Sequence, residues 1–79
     1  MNDARIRWLC RRGMKELDVM LARYLDARWA DAPAAERAAF ASLLELQDPL
    51  LWDLMMARDT ATDADQHDVV ERIRALSGI

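Results

Sequence analysis

Residues 11–28 read RRGMKELDVMLARYLDAR and contain the clearest helix of the chain together with the break that precedes it. After the glycine, apolar residues recur at three- and four-residue spacing, which is typical of an amphipathic helix. These residues are Met14, Leu17, Met20, Leu21, Tyr24 and Leu25. The spacing predicts a helix over residues 14–28. Gly13 costs roughly 0.5–1 kcal/mol relative to alanine inside a helix, so we expect the chain to break there.

A short first helix is predicted on the amino-terminal side of this break. Asn2 or Asp3 can cap its N terminus, and Gly13 ends it. Its predicted inward face consists of Ile6, Leu9 and Cys10.

Three further helices follow from local start and stop signals. Asp31-Ala32-Pro33 and Asp48-Pro49 each place an aspartate as cap before a proline in the first turn, and Thr62 with Asp65 resembles a capping box. Ser77-Gly78 closes the last helix. The predicted core residues are Ala39, Phe40, Leu43 and Leu44, then Leu51, Leu54 and Met55 with Trp52 on the flank, then Val69, Val70, Ile73 and Leu76.

The chain has only two glycines, two prolines and short joints between its helical segments. Consecutive helices joined by short loops pack side by side. The sequence therefore predicts an all-α fold, a small five-helix bundle in which residues 1–79 form a single domain. We also expect a monomer.

Charge and composition exclude several classes of function. The net charge of -3 argues against a nucleic-acid binder, and no apolar run reaches the roughly 20 residues that a membrane span needs. Cys10 is the only cysteine, so the chain has no internal disulfide, and no signal peptide is visible. We predict a cytoplasmic protein without membrane insertion. Its basic amino-terminal part, which suits an acidic partner, holds Arg5, Arg7, Arg11, Arg12, Lys15, Arg23 and Arg28.

Arg12 and Glu16 flank the glycine break and are the strongest candidates for a binding site. In a continuous helix they would form an ordinary exposed pair contributing about 0.2–0.5 kcal/mol. The order of arginine before glutamate is the less favourable one, and Gly13 interrupts the geometry between them. A docking corner is the better interpretation, with Trp8 one turn away as a hot-spot residue or, equally well, a core residue.

The remaining reactive residue types indicate no catalytic site. Trp29 and Trp52 are interpreted as packing residues, Cys10 as a small buried hydrophobe and His67 as a solvated side chain without a metal partner. Phosphate-binding glycine loops, GxSxG and HExxH are absent from the sequence. We therefore expect a protein that is not an enzyme.

The stretch from Arg5 to Asp18, with Trp8 and the pentapeptide RGxxE at Arg12, Gly13 and Glu16, resembles the signature of a known family. This family comprises the succinate dehydrogenase assembly factors, also described as FAD assembly factor SdhE or YgfY-like proteins. The resemblance extends through Leu43-Leu44-Glu45 and Asp48-Pro49 to Trp52. Leu50 departs from it, because the family more often has an acidic residue after Asp-Pro.

The resemblance implies a five-helix bundle that binds the flavoprotein subunit of succinate dehydrogenase, and also that of fumarate reductase. It implies that the chain promotes covalent attachment of FAD to a histidine of that subunit and holds no cofactor or metal stably itself. Carried over by position, the residues that contact the flavoprotein are Arg12, Gly13 and Glu16, with Trp8, Arg11 and Asp18 as their neighbourhood.

Two other functions stay open from the sequence. One is an antitoxin-like or regulatory interaction protein. The other is a small helix-turn-helix DNA binder, which would need a basic recognition helix that the segments after residue 28 do not supply.

Overall fold

The computed structural model describes residues 3–79, and within that range the chain forms five α-helices and no strand. The helices are α1 (Asp3–Leu9), α2 (Lys15–Ala27), α3 (Ala34–Leu43), α4 (Asp48–Met55) and α5 (Ala64–Leu76), and a 3-10 turn at Trp29–Asp31 precedes α3. The predicted all-α, five-helix fold is confirmed. The first helix ends four residues before Gly13, because residues 10–14 form a loop.

One hydrophobic core collects side chains from all five helices, with α5 packed against α2, α3 and α4. The stripes predicted from the helical spacing are buried in α2, α3 and α4, except that Met14 is half-buried and precedes α2 as its N-cap. Half-buried Trp52 flanks the core as expected. The rings of Tyr24 and Phe40 stack with centroids 4.5 Å apart, and Trp29 tilts against Phe40 at 5.6 Å. Leu76 departs from the prediction, since it is 40% exposed at the last residue of α5.

The helix starts differ from the predicted caps in detail. Asp63, rather than Thr62, caps α5, and its carboxylate accepts a hydrogen bond from the backbone N–H of Gln66 at 2.9 Å. Pro33 occupies the N-cap of α3, because Asp31 is the last residue of the preceding 3-10 turn. The prediction of Asp31 and Thr62 as caps was wrong by one or two positions.

Two further aspartates expected to act as caps lie inside the first turn of a helix and bind side chains elsewhere. Asp3 begins α1, and its carboxylate accepts a 2.8 Å hydrogen bond from the indole N–H of Trp29. Asp48 is the first residue of α4, and Gln47 is the N-cap. Asn2, the alternative cap of α1, lies outside the described residues.

Helices α4 and α5 end in the same hydrogen-bond pattern, the Schellman motif. In α5 the N–H of Ile79 donates to the Arg74 carbonyl, and Gly78 has the expected positive φ of 77°. In α4 the N–H of Arg58 donates to the Asp53 carbonyl, but the left-handed position is held by Ala57 at φ 57°. An L residue is strained in this conformation, whereas glycine is not.

A polar cluster between α2, α3 and α5 is centred on Glu36. Its carboxylate accepts hydrogen bonds from the Tyr24 hydroxyl at 2.6 Å and from Arg28 at 2.9 and 3.0 Å, and Arg72 lies 3.6 Å away. The hydrogen bonds from Arg28, and then that from Tyr24, lower the pKa of Glu36 to about 2 against the opposing effect of burial. Glu36 is therefore ionised at neutral pH and joins three helices.

Candidate partner-binding site

The loop between α1 and α2, residues 10–14, forms a corner at which Arg11 and Gly13 are exposed, and we refer to it as the corner loop. Gly13 lies at its tip with φ 83°, a conformation that L side chains rarely adopt. A Cβ built on Gly13 would meet no other atom within 4 Å among the described residues. Glycine is therefore strongly favoured by the backbone conformation, and the space in front of it is open to another molecule.

Arg12 points from the corner loop into the protein and ties it to the connection between α3 and α4. Its Nε donates to Oδ1 of Asp48 at 2.6 Å, its Nη1 to the carbonyl of Leu44 at 2.7 Å, and its Nη2 to the carbonyl of Leu46. Leu44 is the C-cap of α3, so two of these bonds satisfy carbonyls at or just beyond a helix end. Only 12% of the Arg12 side chain is exposed.

Asp18, in the first turn of α2, fixes the backbone of the same loop. Its Oδ1 accepts from the N–H of Arg12 at 2.8 Å and its Oδ2 from the N–H of Gly13 at 3.3 Å. The Arg12 guanidinium is therefore not free to bind a partner, because Asp48 and two carbonyls occupy it. The helical pair of Arg12 with Glu16 is absent for the same reason.

In addition to Gly13, three of the predicted site residues are exposed. Trp8 is 68% exposed, which removes the alternative that it belongs to the core. Arg11 and Glu16 are also exposed, and their side chains form no hydrogen bond or ion pair within residues 3–79. The structure thus separates the predicted set into an outward group (Trp8, Arg11, Gly13 and Glu16) and an inward pair (Arg12 and Asp18).

Cys10 and His67 behave as ordinary structural and surface residues. Burial raises the pKa of the Cys10 thiol to about 11, although the nearby Arg12 and Arg7 act in the opposite direction. The thiol is therefore protonated at neutral pH and a poor nucleophile. His67 is exposed, and residues 3–79 contain no group of three side chains suited to hold a metal ion. Within the same range, no helix is both long and apolar enough to cross a membrane.

Sequence reasoning missed Asp48 as the partner of Arg12. Both residues stood out in the sequence, one in RGxxE and one as a presumed cap, but 36 positions separate them. Spacing along the chain carries no signal for a contact of that range.

Comparison with known proteins places the chain in a family. The sequence profile described as "Flavinator of succinate dehydrogenase" matches residues 4–77, nearly the whole chain. The chain belongs to this family. Among its relatives, a protein of Xylella fastidiosa (strain 9a5c) is 43% identical over 72 residues, which are 91% of this chain and 74% of the relative. One of Coxiella burnetii is 36% identical over 77 residues, covering 98% and 94% of the two chains.

A third relative, from Methylococcus capsulatus, is 40% identical over 74 residues, covering 94% and 89% of the two chains. All three relatives bear the name FAD assembly factor SdhE. The expected family is confirmed, and the names of its members describe an assembly factor rather than an enzyme. No solved structure matches this chain.

Proposed function

We propose that this assembly factor binds the flavoprotein subunit of succinate dehydrogenase through the corner loop and promotes covalent attachment of FAD to that subunit. The observation that carries the proposal is the combination of a fixed, open glycine tip with neighbouring Arg11 and Glu16 side chains that have no partner within residues 3–79. The family description, which names succinate dehydrogenase, and the relatives' name, which refers to FAD assembly, support this choice of client.

The outward group has the composition of an interface anchor. Tryptophan and arginine are enriched among the residues that dominate binding energy, and here exposed Trp8 and Arg11 precede the tip in the sequence. The missing Cβ of Gly13 allows the backbone of a partner to approach, so that main-chain groups can form hydrogen bonds there. Glu16 adds a carboxylate for a charge-assisted hydrogen bond.

The inward pair has a different role in this proposal, since Arg12 and Asp18 position the loop. Together they make five hydrogen bonds that hold the corner loop in one conformation. A surface that is ordered before binding loses little conformational entropy on association. We therefore assign contact with the client to the outward group. Arg12 and Asp18 contribute indirectly, because they hold the corner loop that positions this group.

In this proposal the chain contributes binding and orientation to flavin attachment. The reaction chemistry is supplied by FAD and the flavoprotein. Correct orientation of two reacting groups is worth several kcal/mol of the barrier, so an assembly factor that holds the flavoprotein in a competent arrangement accelerates attachment without a catalytic side chain of its own.

The experiment that tests the proposal measures covalent flavin on the succinate dehydrogenase flavoprotein, by in-gel flavin fluorescence, in cells that lack this chain. Restoring the wild-type chain should restore the signal. Gly13→Arg should fail to restore it, because a bulky side chain fills the space in front of the tip. Gly13→Ala is the matched control, since it carries the same backbone strain without the bulk.

We expect both variants to lose a similar free energy of unfolding, roughly 1–2 kcal/mol from the left-handed conformation. Gly13→Arg should lose most of the flavin signal, and Gly13→Ala, which adds only a Cβ, should lose a smaller part of it. A full signal with Gly13→Arg would contradict the corner loop as the contact site. An undiminished signal in cells without the chain would contradict the function itself.

A further inference from the structure

A groove of about 390 Å³ lies between α2, the end of α4 and the carboxyl-terminal residues that follow α5. Its apolar lining includes Trp52 and Met56, which are half-buried and pack against the core, and Val19, which is 42% exposed on α2. Lys15, Glu16 and Arg23 line the same groove from α2. We refer to it as the α2 groove.

The basic residues of the α2 groove lack internal partners. Of the eleven basic residues of the chain, only Arg11, Lys15 and Arg23 have side chains without a hydrogen bond, ion pair or ring contact within residues 3–79. Lys15 and Arg23 both line the groove. The chain has 14 acidic residues, so a shortage of carboxylates does not explain why these two cations are unpaired.

The acidic residues that could pair with these cations along α2 are engaged elsewhere. On a helix, Asp18 lies three positions after Lys15, and Asp26 three positions after Arg23. Asp18 binds the backbone of the corner loop, and Asp26 pairs with Arg7 at 3.0 Å. The groove therefore presents an apolar strip with two cations that form no ion pair within residues 3–79, and the carboxylate of Glu16 also lines it.

The α2 groove is continuous with the proposed binding site, because Glu16 belongs both to RGxxE and to the lining of the groove. We infer that the groove is a second part of the client-binding surface and takes a segment of the flavoprotein with an apolar side chain between two carboxylates. This inference rests on the proposed function. The apolar side chain would contact Val19, Trp52 and Met56, and the carboxylates would pair with Lys15 and Arg23.

The spacing of the cations sets the spacing of the expected carboxylates. Lys15 and Arg23 are eight residues apart on one helix, which corresponds to about 12 Å along its axis. In an extended client segment this distance corresponds to acidic residues about three or four positions apart, and in a helical segment to about eight positions.

The experiment is titration calorimetry of the chain with the isolated succinate dehydrogenase flavoprotein subunit. Val19→Glu places a charge in the apolar strip, and Arg23→Glu reverses one of the unpaired cations. Both residues are exposed, so both variants should keep the helical circular dichroism spectrum and the thermal transition of the wild type. Leu50→Glu and Arg58→Glu are the matched controls, because they make the same changes at exposed positions outside the groove.

We expect Val19→Glu and Arg23→Glu each to weaken binding at least tenfold, Arg23→Lys to retain affinity within about threefold, and both controls to stay within twofold of the wild type. If the wild type binds and both groove variants bind within twofold of it, the groove is not part of the surface although the proposed function stands. An equal loss in the controls would also overturn the groove assignment. If the wild type itself does not bind, the proposed function fails and the groove with it.

A second copy of this chain is the competing occupant of the groove. Sedimentation velocity of the wild type and Val19→Glu decides between the two. A wild-type dimer that Val19→Glu converts to a monomer would overturn the assignment to the flavoprotein, and monomers in both cases agree with it.

Discussion

The Nε of Arg12 lies 2.6 Å from Oδ1 of Asp48 and joins the corner loop to the first turn of α4. The arginine of RGxxE is thus an internal structural residue. Its replacement affects the fold first and the proposed binding surface through the fold. Glu16, four positions later, has no such internal role.

Arg12→Ala should lower the free energy of unfolding by roughly 2–3 kcal/mol, because it leaves the Asp48 carboxylate and two carbonyls without their charged donor. Urea denaturation followed by circular dichroism measures this loss. Arg11→Ala, the control, should change stability by less than about 0.5 kcal/mol, since Arg11 is exposed and unpaired. Equal stability of the two variants would show that Arg12 does not hold the loop.

Glu16→Ala should weaken association with the flavoprotein subunit by roughly 1–3 kcal/mol, the range in which interface anchors stand out from peripheral contacts. Its stability should fall by no more than about 1 kcal/mol, which is the helix-dipole contribution of a carboxylate in the first turn. Titration calorimetry measures the affinity. Glu45→Ala removes another exposed glutamate and should bind like the wild type; affinities for both variants within twofold of the wild type would remove Glu16 from the site.

Glu36 should make stability depend on pH in acid. Its pKa is lowered from 4.5 to about 2 on folding. Between these two pH values, Glu36 is therefore protonated in the unfolded chain and still ionised in the folded chain. The contribution of Glu36 is therefore complete above pH 4.5 and is lost as the pH falls towards 2.

Glu36→Gln should be less stable than the wild type by about 1–3 kcal/mol at pH 7, and the difference should shrink between pH 4.5 and pH 2. Chemical denaturation at several pH values measures it. A difference that stays constant over this range would mean that the ionisation of Glu36 is not coupled to folding.

Ala57→Gly should raise the free energy of unfolding by about 0.5–1 kcal/mol. The substitution relieves the left-handed strain after α4, which exceeds the entropy that glycine adds to the unfolded chain. Ala38→Gly is the opposite control, because Ala38 is exposed inside α3, where glycine costs roughly 0.5–1 kcal/mol. Thermal unfolding of both variants should show shifts of opposite sign, and a lower melting temperature for Ala57→Gly would contradict the strain.

The sequence predicts the helices well because their apolar spacing is a local property. The stripe from Leu17 to Leu25 is buried in α2 as expected, and Gly78 ends α5 in the left-handed conformation that its residue type suggests. The caps are less well predicted, since an aspartate near a helix start can lie at the cap, in the first turn or in the preceding turn. The position of an aspartate can depend on a hydrogen-bond partner elsewhere in the fold, as Asp3 accepts from the indole N–H of Trp29.

The binding site is predictable only in part. RGxxE marks the corner loop correctly, because a glycine between charged residues signals a break. The sequence does not reveal that Arg12 faces inward and Glu16 outward, since that difference depends on Asp48 and on carbonyls of a distant loop. The lack of partners for Lys15 and Arg23 likewise follows from what Asp18 and Asp26 bind in three dimensions.

The acceptors of the Arg12 guanidinium all lie between residues 44 and 48, so the corner loop depends on a part of the chain that is synthesised much later. A nascent chain that has produced only α1 and α2 contains RGxxE but not the contacts that shape it. Pairing over such a sequence distance carries a loop-closure cost and comes after local helix formation. The proposed binding surface therefore reaches its final shape only after the connection between α3 and α4 has formed. A client that binds this surface would thus distinguish the fully folded chain from an incompletely folded one.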